Sequence, residues 1–417
     1  MRISTIQAFN NGVRGMQDNY SAVTRTQEQV NSGKRLLSPA DDPVASVRLL
    51  QLGQEASKLN QYKDNLTAAT NSLAQEEGIL NSVNNVLQRV REITLEAGNG
   101  ALDSAARNAL AQELKEREGE LYGLMNSQNA RGEYLFAGYR SDTQPFVKNP
   151  DGSYNYAGDE GQRLIQIGSA KSIAINDSGK SLFVDVANVN RVDTAADGTN
   201  TGDARISLGV VENKSHFDNE FVLNGGVNIV IGVDASDYEI VDVDGNPLTP
   251  PVSGALEINA SGGYEIRHAG VVVTLDGELA AGDSFSVSPR PMTDSGEKRS
   301  VLDTVRLLRQ TLESTDDSNE QKLQRRDMLS ISLQNIDNAM NTVLGVQTSV
   351  GARMNVIDST GLENDEAALI NTTVRSGLED LDYAEALSRL SMESIVLQAA
   401  QQSFVKINSL NLFNFLR

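Results

Sequence analysis

Cysteine and tryptophan are absent from this chain, and only two histidines occur in its 417 residues. Without cysteine there is no disulfide framework, no thiolate nucleophile and no cysteine-ligated zinc or iron–sulfur centre. Basic residues are also in deficit: 36 Lys and Arg face 56 Asp and Glu, a formal charge of −20. Neutralising a phosphate backbone takes a basic patch, so no nucleic-acid partner is expected. No stretch approaches the roughly 18 consecutive apolar residues of a membrane helix, which predicts no membrane insertion. The opening MRISTIQAFNNGVRGM lacks the apolar core and small-residue cleavage site of a secretory signal, so export, if it occurs, is expected by another route.

What is present is unevenly spread. Residues 138–297 hold 20 of the 34 glycines, seven of the nine prolines, and 24 acidic against 10 basic residues, so this block carries −14 of the total charge. Runs such as SYNYA, RLIQI, VNIVIGV, YEIVDV and YEIRHAGVVVTL are rich in β-branched residues, and Asp-Gly pairs punctuate them at 151–152, 244–245 and 276–277. That grammar predicts antiparallel hairpins, either as one β insertion or as two small β subdomains.

Helical spacing governs both flanks. Ile6, Phe9, Val13, Met16, Tyr20, Val23 and Val30 step by three and four, interrupted at Gln27. A second seam runs Leu59, Tyr62, Leu66, Ala69, Leu73, Leu80, Val83, Leu87 and Val90, broken at Glu76, and a third helix carries Leu110, Leu114, Leu121 and Leu124. In the C-terminal flank Leu329, Leu333, Ile336, Met340, Val343, Val350, Met354 and Ile357 repeat the pattern, and the last helix shows Leu387, Leu390, Leu397 and Phe404. Such seams need partner helices. The expected fold class is α+β: an elongated, coiled-coil-like helical bundle formed by the N- and C-terminal flanks, with an inserted antiparallel β outer domain. The expected divisions are an N-terminal assembly helix (1–38), bundle halves (39–137 and 298–380) around the β-rich outer domain (138–297), and a C-terminal assembly helix (381–417). The two outermost helices either dock on the bundle or become ordered only against neighbouring subunits.

The break between the first two helices is locally well specified. Gly33 suits a helix C′ stop, while Asp42 before Pro43 suits an N-cap followed by proline at N1. Ser38-Pro39, with Asp41 three residues after the serine, offers a competing start. Lys34 and Arg35 stand beside Asp41 and Asp42, which allows a local ion pair or one across a subunit boundary.

This run, SGKRLLSPADDPVAS at 32–46, resembles the signature of the flagellin family. Its Asp-Asp-Pro-Val version is closer to the branch found at the hook–filament junction than to the filament-forming branch. GEYLFAGYRSDTQPF (132–146) resembles that branch's exit from the bundle into the outer domain, and LQAAQQSFVKINSLNLFNFLR (397–417) its C-terminal helix. GDSFSVSP (282–289) is similar to strands of other hook-associated proteins. The resemblance implies an extracellular structural adapter of the bacterial flagellum, exported unfolded through the flagellar type III apparatus after a cytoplasmic chaperone holds its C-terminal region. Its implied partners are hook-associated protein 1, flagellin and like subunits in a ring. On this basis Ile6, Phe9, Val13, Met16, Tyr20, Val23, Leu390, Leu397, Phe404, Leu410 and Phe413 are expected to supply the inner assembly interface, with Asp41 and Asp42 in the turn that sets register.

Other chemistries find little support in the residues. There is no HExxH, and His216 and His268 lie 52 residues apart with no evident third ligand. AINDSGKS (174–181) ends like a phosphate loop but has Ala174 where the first glycine belongs, and is expected to be a turn in hairpin surroundings, not a strand–loop–helix unit. Asp242, Asp244 and Asn246 surround Gly245 without the acidic residue that closes a calcium loop. No catalytic residue, cofactor or metal is assigned. The competing functions are a filament flagellin and a secreted adhesin or enzyme that uses the acidic β block.

Overall fold

The computed structural model describes residues 5–99, 102–258, 262–290, 297–315 and 318–413. Six helices of eight residues or more can be followed among them: α1 (Thr5–Ser32), α2 (Pro43–Ala97), α3 (Ser104–Met125), α4 (Val301–Glu313), α5 (Asn319–Glu379) and α6 (Tyr383–Phe413). The strands between α3 and α4 are β1 (Phe146–Lys148), β2 (Tyr154–Tyr156), β3 (Leu164–Gln166), β4 (Ser172–Ala174), β5 (Val192–Ala196), β6 (Arg205–Ile206), β7 (Val210–Val211), β8 (Val227–Ile231), β9 (Asp237–Val241), β10 (Pro247–Ala255), β11 (Tyr264–His268), β12 (Val271–Asp276) and β13 (Ser284–Pro289). Helical flanks thus enclose an antiparallel β region, as the composition predicts. The chain forms two compact units, one of Met1–Thr67, Gln166–Lys171 and Asp358–Arg417, the other of Ala68–Ile165 and Ser172–Ile357.

In the larger unit the predicted seams become a helical core. Leu80, Val83, Leu87 and Val90 of α2 are fully buried with Leu114 and Leu121 of α3, Val305 and Leu308 of α4, and Ile336 and Val343 of α5. Burying a side chain of this size contributes about 1.5–3 kcal/mol each relative to exposure. Asp103 starts α3 by accepting the Ala106 N–H at 2.7 Å, an N-cap that satisfies one of the helix's orphan donors. One end of the core is aromatic: Phe183 meets Phe136 edge-on at 5.2 Å between centroids and Phe146 at 6.1 Å.

The two larger sheets of this unit share one core, while β1 and β2 lend Phe146 and Tyr154 to the helical one. A five-stranded sheet in the order β10-β9-β8-β13-β5 and a smaller sheet β11-β12-β6, with β7 also on β12, share Val192, Ile206, Phe217, Phe221, Ile229, Ile240, Ile266, Val273, Leu275 and Phe285. Pairing is antiparallel, with Ile229 opposite Ile240 on one side and Phe285 on the other. β8 alternates buried and half-buried side chains along VNIVI, the period-two pattern of a strand with one inward face. The β9–β10 turn is a hydrogen-bonded device: the Asp242 carboxylate accepts the N–H of Asp244 at 2.9 Å and of Asn246 at 2.7 Å, while Gly245 adopts φ +85°.

Two expectations are revised here. AINDSGKS is not a turn among hairpins but joins a strand to a helical turn: it leaves β4 as a loop with Asn176, Asp177 and Ser178 buried, then enters a helical turn at Lys180–Val184 that inserts Leu182 and Phe183 into the core. Glu76 does not interrupt the burial of α2 either. It is as buried as its apolar neighbours, at 2% exposure, where the Asp177 N–H and the charge of Arg353 meet it.

Candidate functional site

In the smaller unit α1 and α6 pair, and a few side chains set how. Phe9 and Phe404 lie with ring centroids 5.2 Å apart at 48°, a tilted contact that aromatic quadrupoles favour. Gly12 makes room for it, since a Cβ there would lie 2.9 Å from Phe404 Cδ2. Val13, Met16 and Val23 of α1 and Leu390, Leu397 and Phe404 of α6 are half-buried, whereas Tyr20 remains 65% exposed. Ile6, Leu410 and Phe413 fall within α1 and α6, but their side chains lie outside the described residues. The buried stripe departs from the predicted one past Val23: Thr26 and Gln29 are buried and Gln27 is exposed. Gln29 can be buried because both ends of its amide are used, accepting from Arg389 at 2.9 Å and donating to the Arg35 carbonyl at 2.7 Å.

The α1–α2 and α5–α6 junctions are stitched to each other. Gly33, at φ +68°, closes α1 with its N–H on the Gln29 carbonyl at 2.9 Å, and its own carbonyl accepts the Leu381 N–H at 3.0 Å. Arg35 donates its backbone N–H to the Glu379 carbonyl at 2.7 Å and its guanidinium to the Leu378 carbonyl at 2.9 Å. Lys34 pairs with Glu379. Neither basic residue pairs with the adjacent aspartates, as their proximity in sequence suggests. Asp41 instead pairs with Arg25 of α1 and accepts the N–H groups of Leu37 and Ser38 at 2.9 and 3.1 Å. Those backbone donors, with a smaller contribution from Arg25, hold its carboxyl below the usual value. Asp42 caps α2 as predicted, accepting from the Ala45 N–H at 3.0 Å with Pro43 in the first helical position. Ser38-Pro39 forms a turn and not a competing helix start.

A further tie lies along α2 and α5 within this unit. Asn65 of α2 and Asn364 of α5 donate to consecutive carbonyls, Gln166 at 2.7 Å and Ile167 at 3.0 Å, and Lys171 reaches Glu363 at 2.7 Å. Asn371, buried, donates to the Leu52 carbonyl at 3.0 Å. The sequence reading missed Gln29, Arg389, Asn65, Asn364 and Asn371, since a polar residue on a helix announces no partner hundreds of positions away.

These helices nevertheless leave large apolar side chains in solvent. Val44 (82% exposed), Val47 and Leu50 step by three along α2. Leu362 (73%), Leu369 and Ile370 stand on α5, and Met392 (65%), Ile395 and Val405 on α6. Isolated exposed leucines are ordinary, but accumulations of this kind mark surfaces that bind protein.

Reactive chemistry is sparse by comparison. Among the described residues no cluster of three or more His, Asp or Glu is placed to hold a metal. His216 Nδ1 lies 2.9 Å from Glu220 on an exposed helical turn, and His268 is half-buried on β11, where desolvation holds its pKa down against the charge of Glu220. No described helix is long and apolar enough to cross a membrane.

Paired terminal helices, a stitched double junction and an apolar helical exterior define a helical structural subunit. The profile of the bacterial flagellin N-terminal helical region matches residues 3–141 and that of the C-terminal helical region matches residues 333–416; the chain belongs to the flagellin family. Within it, the chain is similar over 413 residues, 99% of each protein at 23% identity, to flagellar hook-associated protein 3 of Escherichia coli. It is 33% identical to flagellar hook-associated protein 3 of Salmonella typhimurium over 183 residues, 44% of this chain and 57% of that protein. The crystal structure of the flagellar junction protein FlgL from Legionella pneumophila superposes with a TM-score of 0.62 at 28% identity, covering 80% of this chain and 99% of that one.

Proposed function

We propose that this chain is the structural adapter joining the flagellar hook to the flagellin filament, without enzymatic activity. The observation that carries the reading is the apolar exterior of the terminal unit: Val44, Leu50, Leu362, Leu369 and Met392 remain in solvent on helices whose opposite sides are packed. A head-to-tail contact between unlike faces propagates along a helical lattice without closing on itself, which suits an adapter between two different assemblies. Like subunits in a ring cover these side chains laterally, while hook-associated protein 1 and flagellin occupy the two axial faces. Ile6, Phe9, Val13, Met16, Tyr20, Val23, Leu390, Leu397, Phe404, Leu410 and Phe413 form the inner interface, and the junction carrying Asp41 and Asp42 helps fix axial register. The chain reaches the cell exterior through the flagellar type III export channel, with a chaperone on its C-terminal region beforehand.

Deleting the gene tests the proposal. Electron microscopy is expected to show hooks without filaments, with flagellin released into the medium; normal filaments would refute the adapter role. Purified chain that elongates flagellar seeds into long fibres would indicate a filament subunit instead. Truncation of residues 1–30 or 390–417 is expected to abolish ring assembly, and a truncated chain that still supports filament growth removes the terminal-helix assignment.

A further inference from the structure

Three ionisable groups from three elements meet inside the larger unit. Glu76 comes from α2, Asp177 from the loop after β4, and Arg353 from α5; exposure is 2% for Glu76 and 7% for Asp177. The Asp177 N–H donates to Glu76 Oε1 at 3.1 Å. Arg353 pairs with the Asp177 carboxylate and also donates to the Ala174 carbonyl at 3.2 Å. Gln162 donates to the other Asp177 oxygen at 2.6 Å. Glu76 Oε2 is buried with no hydrogen-bond partner. Two carboxylates and one guanidinium carry a net negative charge, and neutrality at this buried point requires one proton.

We propose that Glu76, Asp177 and Arg353 form a proton-operated clasp that fastens the 174–179 loop, and the helical turn at Lys180–Val184 behind it, to α2 and α5, tightening as pH falls. Asp177 and Arg353 are the charged groups facing Glu76 from the loop and from α5. Arg353 and Gln162 already engage both Asp177 oxygens, whereas Glu76 Oε2 has no partner, so the proton is placed on Glu76. Burial first, and the neighbouring Asp177 charge second, raise the Glu76 pKa from 4.5 to about 8, with Arg353 opposing. The sign follows from linkage. The closed clasp binds the proton more tightly than the open one, so the extra stability is full below the open-state value near 4.5, declines with rising pH, and is exhausted once pH passes about 8. The loop amides beside this carboxyl are the reporters, and Leu182 and Phe183 in the core tie the clasp to the packing of the bundle end.

Two measurements on the intact protein test this. Hydrogen exchange at amides 175–185, corrected for the intrinsic rate, should report an opening equilibrium rising about tenfold per pH unit between roughly pH 5 and 8 and then levelling. Amides of β11 and β12 should not follow. In Glu76→Gln the 175–185 amides should lose this dependence. Carbon-13 NMR of the Glu76 carboxyl in the wild-type chain should titrate with a midpoint near 8 and reads the clasp directly even if the variant fails to fold. A midpoint below about 5.5, or an unchanged pH dependence in a folded Glu76→Gln, overturns the proposal.

Discussion

At the scale of single residues, the junction between α1 and α2 shows which side chains act locally and which act at a distance. Asp42 is a local device, an N-cap whose signal lies wholly in Asp-Pro, and replacing it with alanine is expected to cost about 1 kcal/mol in thermal unfolding. Asp41 acts over a longer range. Its carboxyl is held below its ordinary value of 3.8 by the Leu37 and Ser38 N–H groups and by Arg25, so its contribution is present above that value and fades as pH falls through the lowered one. Unfolding followed from pH 5 down to pH 2 should therefore show a loss of stability in the wild type that Asp41→Asn lacks; identical profiles would mean that the carboxylate is not used in this way. Gly33 and Asp42 are legible in the sequence because a left-handed stop and a cap depend only on near neighbours. The partners of Lys34 and Arg35 are not, because sequence places two aspartates a few positions away while the fold delivers Glu379 and the Leu378 carbonyl.

At the scale of elements, period is readable and polar exceptions are not. The seams of α2, α3 and α5 bury or half-bury their predicted apolar positions because burial follows helical spacing. Glu76 breaks the pattern in composition without breaking it in space, since a loop N–H and the charge of Arg353 meet one side of its carboxyl. The 174–181 loop escapes prediction for the complementary reason: its burial depends on Arg353, a residue of a distant helix. Asparagines provide another hidden layer. Asn65 and Asn364 bond to adjacent carbonyls of the 166–171 segment, so one short segment ties α2 and α5 in a fixed longitudinal relation. Replacing both with alanine removes two hydrogen bonds of roughly 1 kcal/mol each. Hydrogen exchange should then accelerate at amides 166–171 while the β8–β13 ladder is unaffected; equal protection in the double variant would show that the bonds are dispensable.

At the scale of the whole molecule, the division of labour is chemical. Net negative charge concentrates in the β-bearing middle of the chain, while Val44, Leu50, Leu369 and Met392 leave apolar surface exposed on the helices of the terminal unit. Leu369→Glu combined with Met392→Glu changes only exposed positions, so stability of the isolated chain should shift by less than about 0.5 kcal/mol per site. Incorporation into flagella should fail nonetheless, read by electron microscopy of a complemented deletion strain. Wild-type filaments from this variant would place the assembly contacts elsewhere.

The stitching of the two junctions also has a consequence in time. Arg35 bonds to a carbonyl 343 positions further on, and Arg389 reaches back 360 positions to Gln29. Closing so long a loop carries an entropic cost that must be met before any contact rewards it, and contacts of this separation form slowly. Neither bond can exist before residues 378 and 389 have been synthesised. The β hairpins, whose partners are neighbours in sequence, face no such delay. The terminal unit therefore matures after those hairpins, and in a nascent chain α1 lacks its helical partner until α6 has been made.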